Sequence, residues 1–571
     1  MNMLTKTWLT AHTLHWLATW KRRNTHFRFT LPDNPKFMGP RDAVKLIPDG
    51  AAIATSGLAG NQQAQIIQWA IRELYEETGH PRDLTVMSVG GQGGRGKVPG
   101  TLEELGLEGL VTRFFSGHLE TFKSILKLAD AGKCELQCIP QGTLTLLFKA
   151  QANGEECIIN DTGTGTFIDP RTGRGTPVID HDAPQYVEIV DGRFKYSIPK
   201  ITCSYFNAQA ADAKGNIYAR HNAVIGEGRE TSKAAKRHGG LVIANVAELV
   251  EEGYSDIYVP AEEVDAVVLY PKTMQTSSVQ YRKHWNFFTP ESTTDLKEGI
   301  ARVKHVNNLL GITPRRTPAD NALARLAAKV FVDYAHKGDH TDIGVGLPEE
   351  ASRLLHESGA MEQYTMVNES GVFGGLPAPG IFFGAAVNPH EIITSAEAFT
   401  RIYERLDAAM LGALEVDSNG HVNVSKRGDG AINYVGPGGF IDLTECANLI
   451  LFCASWGDRC KIRIEGGKMH VDDPGKPKFV NEVEEVTFNG QEALKAGKKV
   501  FYITHLCAFR LTGRGMELVC VMPGVDVQKD IIDLLDMNVV LPESGEVPEV
   551  THDILTGEGF RLTVPDHPVE D

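Results

Sequence analysis

From Met38 onward, short apolar runs alternate with stretches whose apolar residues recur at helical spacing. This is the pattern of strands joined by crossover helices into a mostly parallel sheet. Ala51 to Ser56 predicts a strand that runs into the glycine turn Gly57-Leu-Ala-Gly60. A helix is expected from about Asn61, a good N-cap residue, burying Ile66, Ile67, Ala70 and Leu74 on one face. Leu84 to Val89 predicts the next strand and ends in Gly90-Gly-Gln-Gly-Gly94, which completes a βαβ unit.

The same unit returns later in the chain. Thr341 to Gly344 reads as a strand, Gly344-Val-Gly-Leu-Pro348 as a glycine turn with proline at a helix start, and Pro348 to Glu357 as a helix. Tyr364 to Asn368 is then the second strand. Laid on one another, Leu84-Thr-Val-Met-Ser-Val-Gly-Gly91 and Tyr364-Thr-Met-Val-Asn-Glu-Ser-Gly371 are apolar strands running into glycine turns, and Val89 falls opposite Glu369. A further echo joins Ala211-Asp-Ala-Lys-Gly-Asn-Ile217 to Val416-Asp-Ser-Asn-Gly-His-Val422, both Asp-x-x-Gly turns between extended segments. Each precedes a buried apolar strand, Leu241-Val-Ile-Ala244 and Leu449-Ile-Leu-Phe452. The expected fold is therefore α/β, two related open domains with mostly parallel sheets and a site between them. Their limits are 38–290 and 305–571, joined by a linker at 291–304. Thr317-Pro318 caps a helix that carries Leu323, Leu326, Val330, Phe331 and Tyr334 into the second half.

Two domains also suit a chain of 571 residues, too long for one core. With 42% hydrophobic and 23% charged residues, the composition is that of a packed globular enzyme. A formal charge of -16 argues against a nucleic-acid partner, which needs a basic footprint. It also means that anionic substrates need a locally positive or amide-rich site. The nine cysteines show no CxxC spacing, and Cys446, Cys453 and Cys460 are read as core packing. No apolar run approaches the ~20 residues of a membrane helix, so a soluble protein with no membrane partner is expected.

Residues 1–37 differ. Up to Pro32 they hold no Asp or Glu, while Lys6, Lys21, Arg22, Arg23 and Arg28 sit among Trp8, Trp16 and Trp20. A mitochondrial presequence has this character, and so does an appended tail or a misassigned start. The segment is left out of the expected fold. Location is read as cytoplasmic, or as the mitochondrial matrix if 1–37 is a presequence.

In open parallel sheets ligands gather beyond the carboxyl ends of strands. Glu369 stands at such an end, within Asn368-Glu-Ser-Gly-Val-Phe-Gly-Gly-Leu-Pro377, where glycines let backbone amides approach a substrate. A reactive carboxylate and a turn-capping one both fit this place. Val435-Gly-Pro-Gly-Gly-Phe-Ile-Asp442 is a second glycine turn, either an amide-lined oxyanion or phosphate cradle or an ordinary tight turn. Gly91-x-Gly93-x-x-Gly96 matches the dinucleotide fingerprint in letter only, because Lys97-Val-Pro-Gly100 breaks the helix that must follow. The simplest loops for ATP, zinc and serine-hydrolase chemistry are missing from the sequence.

Taken in order, several segments resemble the family I CoA-transferases, in particular their single-chain fused branch acting on acetate, propionate or 3-oxo acids. They are Ser56-Gly-Leu-Ala-Gly60, the Gly93 to Gly96 loop, Pro140-Gln-Gly142, Gly163-Thr-Gly-Thr-Phe-Ile-Asp-Pro170, Gly344-Val-Gly-Leu-Pro348, Glu369-Ser-Gly371, Asn423-Val-Ser425 and Gly438-Gly-Phe-Ile-Asp442. The resemblance covers Met38 to about Pro565. It implies transfer of coenzyme A between an acyl-CoA and a free acid through a glutamyl thioester, with Glu369 as nucleophile and Gly438 and Gly439 as amide donors. Substrate contacts are then expected from Gly344, Gly346, Ser370, Gly371, Gly374 and Gly375. Coenzyme A is a substrate, and no other cofactor or metal is implied; a homodimer or homotetramer is.

Glu369 is expected to be already ionised at neutral pH, as a carboxylate of ordinary pKa ~4.3 is. Ser116-Gly-His118 matches an acyl-pocket segment, although Leu119-Glu120 depart from the family's aromatic and glycine; His118 is a pocket residue or a core histidine. Glu404-Arg405 replace a glycine run, which leaves Arg405 as a contact for a substrate carboxylate or as part of a solvated helix face. Two other readings stand beside the transferase: an acyl-CoA hydrolase on the same fold, and a non-enzymatic CoA-binding or sensing protein.

Overall fold

The computed structural model describes residues 1–27, 30–92, 98–180, 182–312 and 315–569. The Gly93 to Gly96 loop, Lys97 and Arg28 lie outside the described residues.

The alternating pattern folds as two α/β sheets. Among the described residues the first has nine strands and the second eight. In the first, Ala52–Thr55 pairs in parallel with Leu84–Ser88 on one side and Cys203–Ala211 on the other, and Leu241–Leu249 follows. In the second, His340–Ile343 pairs in parallel with Thr365–Val367 and Ala408–Gly412, and Leu449–Cys453 follows. The two orders are the same, and so are their registers. Ile53 lies beside Cys203, which lies beside Leu241; Thr341 lies beside Ala408, which lies beside Leu449. Ala52 pairs with Thr85 as His340 pairs with Thr365, so Ala54 answers to Asp342 and Val89 to Glu369. The Asp-x-x-Gly turns also repeat: Asp212 Oδ1 accepts the N–H groups of Lys214, Gly215 and Asn216, and Asp417 Oδ1 those of Asn419 and His421.

Glycine and proline punctuate the helices as the sequence suggests at Thr317, where a capping box opens the Pro318–Tyr334 helix. The first crossover helix differs: it spans Gln65–Thr78, not a run from Asn61. The Asn61 amide is engaged elsewhere, donating to Leu58 O at 3.1 Å and to Phe383 O of the second half at 2.7 Å. Ala59 and Gln62 hold positive φ values of 51° and 58°, so the segment is a strained loop and not a helical turn.

The stretch expected as a linker runs into a helix, Leu296–Leu310, whose Val303 and Val306 are fully buried. The segment set aside as a tail is docked on it. Met3–Thr19 is helical, Leu9 and Thr13 are buried, and Thr10 Oγ1 lies 2.9 Å from His305 Nε2. Leu9 joins an apolar cluster with Trp285, Phe288, Val303 and Phe382, which draws on both sides of the sequence repeat. Apolar residues of the first helix serve packing there, which its lack of acidic residues did not reveal. Among the described residues no helix is long and apolar enough to cross a membrane.

Candidate active site at the seam between the halves

The carboxyl ends of the edge strand of the second sheet and its neighbour carry two of the candidate groups. Glu369 follows Asn368 just beyond Thr365–Val367, and Asp342 ends the neighbouring strand, where the backbone N–H of Glu369 faces its carboxylate. The loop Gly436–Gly439 crosses from the second half onto the backbone of the first. Gly438 N–H donates to Gly117 O at 2.8 Å, and Gln141 N–H donates to Gly438 O at 2.9 Å. Gly438 holds φ 58°, which favours glycine. Gly439 has an unrestricted φ of -85°, but a Cβ there would overlap Glu369 Oε2.

These elements surround a cavity of about 960 Å³ lined from both halves, by Leu58, Gly91 and His118 on one side and Asp342, Glu369 and Phe440 on the other. Glu369 is enclosed by protein on most sides and keeps partial exposure through the cavity. Its expected free ionisation at neutral pH is corrected by these surroundings. Burial, then the carboxylates of Asp342 and Asp442, push its pKa up to about 8, against hydrogen bonds from the Gly439 N–H and the Gln141 side chain. Burial likewise raises Asp342 to about 7 and Asp442 to about 6. Three acidic groups thus share one poorly solvated place.

Asp442 clasps the halves. Standing in the first turn of Phe440–Cys446, it accepts Gly142 N–H and Thr143 N–H at 2.9 Å, closing the N-terminus of the Gln141–Asn153 helix of the other half. The Thr143 hydroxyl at 3.0 Å and Tyr403 OH at 2.9 Å add two further donors. The repeat produces a reciprocal contact: Glu230, in the first turn of Gly228–Arg237, accepts Thr394 Oγ1 at 2.9 Å from the N-cap of the second half's Ser395–Glu404 helix. Ser395 N–H donates to Gly226 O as Gln141 N–H donates to Gly438 O. By this correspondence Glu227 stands where Gly439 stands. Its carboxylate accepts Gly57 N–H at 3.3 Å and is held by Ser395, and Val89, the counterpart of Glu369, is buried.

Of the residues singled out from the sequence, Glu369, Gly438, Gly439, Gly344 and His118 line the cavity together. The others do not. Gly346 caps the Leu347–Glu357 helix outside it, and Ser370 Oγ donates to Gly384 O. Gly371 turns the chain at φ 89° against Ile393 O, and Gly374 and Gly375 pack against His390 and Asn388. Arg405 is corrected as a substrate contact: its guanidinium binds Asp407 Oδ2 at 2.8 Å and Gly338 O at 3.0 Å, away from the cavity. Leu119 is core, whereas Glu120 lines the cavity and pairs with Arg427 at 2.8 Å. Asp342 and the role of Gln141 and Asp442 were not read from the sequence. An aspartate two residues before the Gly344 turn, inside the segment read as a strand, was the available signal for the first.

No protein-family model matches the chain. It is 32% identical to a caffeate CoA-transferase of Acetobacterium woodii over 88% of its own length and 94% of that protein. It is 30% identical to the acetate CoA-transferase YdiF of Escherichia coli K12 over 89% of its length and 93% of the relative. The crystal structure of the YdiF acyl-CoA transferase apoenzyme from Escherichia coli O157:H7 superposes with a TM-score of 0.80 at 27% identity, covering 93% of this chain and 98% of that one. The same E. coli enzyme is known as a thioester complex with CoA, and that structure also gives a TM-score of 0.80, over 92% of this chain and 97% of that one. With this likeness running through both halves, and a carboxylate-bearing seam between them, the chain belongs to the family I CoA-transferases.

Proposed function

We propose that Glu369 carries the transfer by a ping-pong route. Its carboxylate attacks the thioester carbonyl of an acyl-CoA, giving an acyl-glutamyl anhydride and CoA thiolate. The thiolate then attacks the glutamyl carbonyl, the first acid leaves, and CoA stays on the enzyme as a glutamyl thioester. An incoming carboxylate reverses both steps and departs as acyl-CoA. Each step exchanges activated acyl groups of similar energy, so no ATP is required.

The observation that carries this reading is the contrast between Glu369, poorly solvated and facing a cavity, and its counterpart Val89, buried in the core. Desolvation raises the nucleophilicity of the ionised carboxylate at the cost of raising its pKa. The Gly439 N–H and the Gln141 side chain hold it in place, whereas the Gly438 N–H, expected as an oxyanion donor, is instead given to Gly117 O at 2.8 Å. Short-chain or 3-oxo acids are the proposed acceptors, with a homodimer or homotetramer in a cytoplasmic setting. The hydrolase alternative predicts free thiol from acyl-CoA without any acid. The test is CoA exchange across a panel of carboxylic acids, and thiol release independent of acceptor overturns the transferase route.

The raised pKa has a direct kinetic consequence. kcat/KM for acyl-CoA is expected to climb roughly tenfold per pH unit below an apparent pKa near 8 and to level off above it. A profile flat from pH 6 to pH 9 excludes the proposed protonation state of the resting enzyme. Replacing Asp342 by asparagine keeps an acceptor for the Glu369 N–H and removes a like charge. The rising limb should move to lower pH by about one unit, with activity at pH 6 increasing relative to wild type. An unmoved limb means that the two groups are not coupled.

A further inference from the structure

Leu58 is buried, yet it belongs to neither of the two apolar cores. It lines the active-site cavity instead, together with Ala59, Val98 and Val435, which are also buried outside both cores. Its side chain is wedged between two glycines, one from each half. A Cβ on Gly90 would lie 2.5 Å from Leu58 Cδ1, and a Cβ on Gly384 would lie 3.1 Å from Leu58 Cδ2. The backbone of Gly90 is outside the left-handed region, so close approach and not conformation requires glycine there. The same point on Gly90 lies 3.0 Å from Gln141 Oε1. The leucine tip and the Gln141 amide therefore flank one glycine, in the cavity that Glu369 faces.

The loop that carries Leu58 is held from several directions. Ala59 N–H donates to Gly91 O at 2.6 Å, and Ala59 O accepts Gln63 Nε2 at 2.5 Å. The Asn61 amide ties the loop to Phe383 O of the second half, and Phe383 lines the same cavity. A non-glycine residue held at φ 51°, as Ala59 is, persists only where its surroundings over-determine it. The wall is therefore rigid, and a rigid apolar wall selects by shape. Were the leucine tip removed, its space would stay open to the cavity, because the glycines on either side have no side chains with which to refill it.

We propose that Leu58 is a specificity-determining residue, the stop that limits the length of an unbranched aliphatic chain on the acid or acyl group. The proposal rests on the transfer reading, in which the reacting carbonyl lies against Glu369 and the chain beyond it runs toward the seam that Leu58 plugs. Leu58, Val98 and Phe383 offer such a chain apolar contact. A methylene that fits an apolar pocket is worth about tenfold or more in kcat/KM, and one that collides with the stop forfeits that gain. Leu58 makes and breaks no bond, so the chemistry at Glu369 is the same for every acid, and only the fit of the chain differs.

CoA transfer from acetyl-CoA by the full-length protein is measured across the unbranched acids from acetate to octanoate. Leu58→Ala should raise kcat/KM for hexanoate relative to acetate at least about tenfold. Leu58→Val, a smaller trim, should raise the same ratio by about fourfold. Because it is a ratio on one preparation, it does not depend on the fraction of folded protein, so a destabilised variant still reports. A ratio that is unchanged or lower in both variants overturns the proposal. Failure of the transfer reading looks different: thiol is then released without any acceptor acid. In that event the same ratio is read from hydrolysis of hexanoyl-CoA against acetyl-CoA, with the same two outcomes for Leu58.

Discussion

Glu369→Gln is expected to lower CoA transfer by on the order of 10⁴-fold or more and to abolish any covalent CoA adduct seen by intact-protein mass spectrometry. Glutamine keeps the size and the acceptor oxygen that faces the Gly439 N–H, so the cavity should persist. The same variant should be more stable than wild type in alkaline solution. In the folded protein Glu369 releases its proton near pH 8, whereas the unfolded chain does so near the ordinary 4.5. Between those values the folded state binds more protons, so wild-type stability falls as pH rises, and the loss is complete above about pH 8. Cavity water screens part of the effect, which leaves roughly 1 to 3 kcal/mol in favour of glutamine at pH 8.5. The gain should vanish by pH 4.5, where both states hold the proton. Thermal unfolding of the two proteins at several pH values measures it. An adduct unchanged in the variant relocates the nucleophile, and equal melting at pH 8.5 removes the claim of a strained carboxylate.

Gly439→Ala separates steric room from backbone freedom. Its φ of -85° and ψ of 2° are open to alanine, so the helix start should survive. The new Cβ falls on Glu369 Oε2, and one of the two must move. A displacement of about 1 Å at a nucleophile is worth about 10²-fold in rate, and that is the expected loss in kcat, with little change in melting temperature. Gly438→Ala is the converse: its Cβ would meet nothing closer than Gln141 Oε1 at 3.8 Å, but its φ of 58° puts strain on the backbone. It should cost about 1–2 kcal/mol of stability, with a smaller effect on kcat. If the two variants behave alike, the shape of the Gly436–Gly439 loop matters more than the space it leaves.

Much of the fold could be read from periodicity, since both sheets are built on buried parallel strands whose apolar runs differ from their surroundings. The repeat was visible because strand and glycine turn recur together, and the registers of Thr85 and Thr365 against their neighbours bear it out. Glu369 drew attention as a charge at a strand end. What could not be read lies in contacts between distant segments. Asn61 looks like a helix cap, yet its amide is taken by Phe383 O, 322 residues away. Arg405 reads as a substrate contact or as part of a solvated helix face, and its guanidinium is taken by Asp407 two residues on. Local residue type cannot tell that Glu369 shares its surroundings with Asp342 and Asp442, because that crowding exists only once distant segments of the second half have folded together. The docking of the Met3–Thr19 helix was missed for the same reason: a basic, tryptophan-rich stretch looks extraneous until Trp285 and Val303 are seen beneath it.

The correspondence between Gly439 and Glu227 bears on how the protein can be counted. A duplicated scaffold offers two equivalent stations at its seam, but at the second the carboxylate comes from Glu227, where it is tied down by Gly57 and Ser395, and not from the Val89 strand. One station per chain is therefore expected to turn over. Mixed with excess acyl-CoA and no acceptor acid, each working chain should retain a single equivalent of CoA and release a single equivalent of acid. That stoichiometric burst of acid is an active-site titration, which reports the functional fraction of a preparation without reference to a substrate's turnover rate.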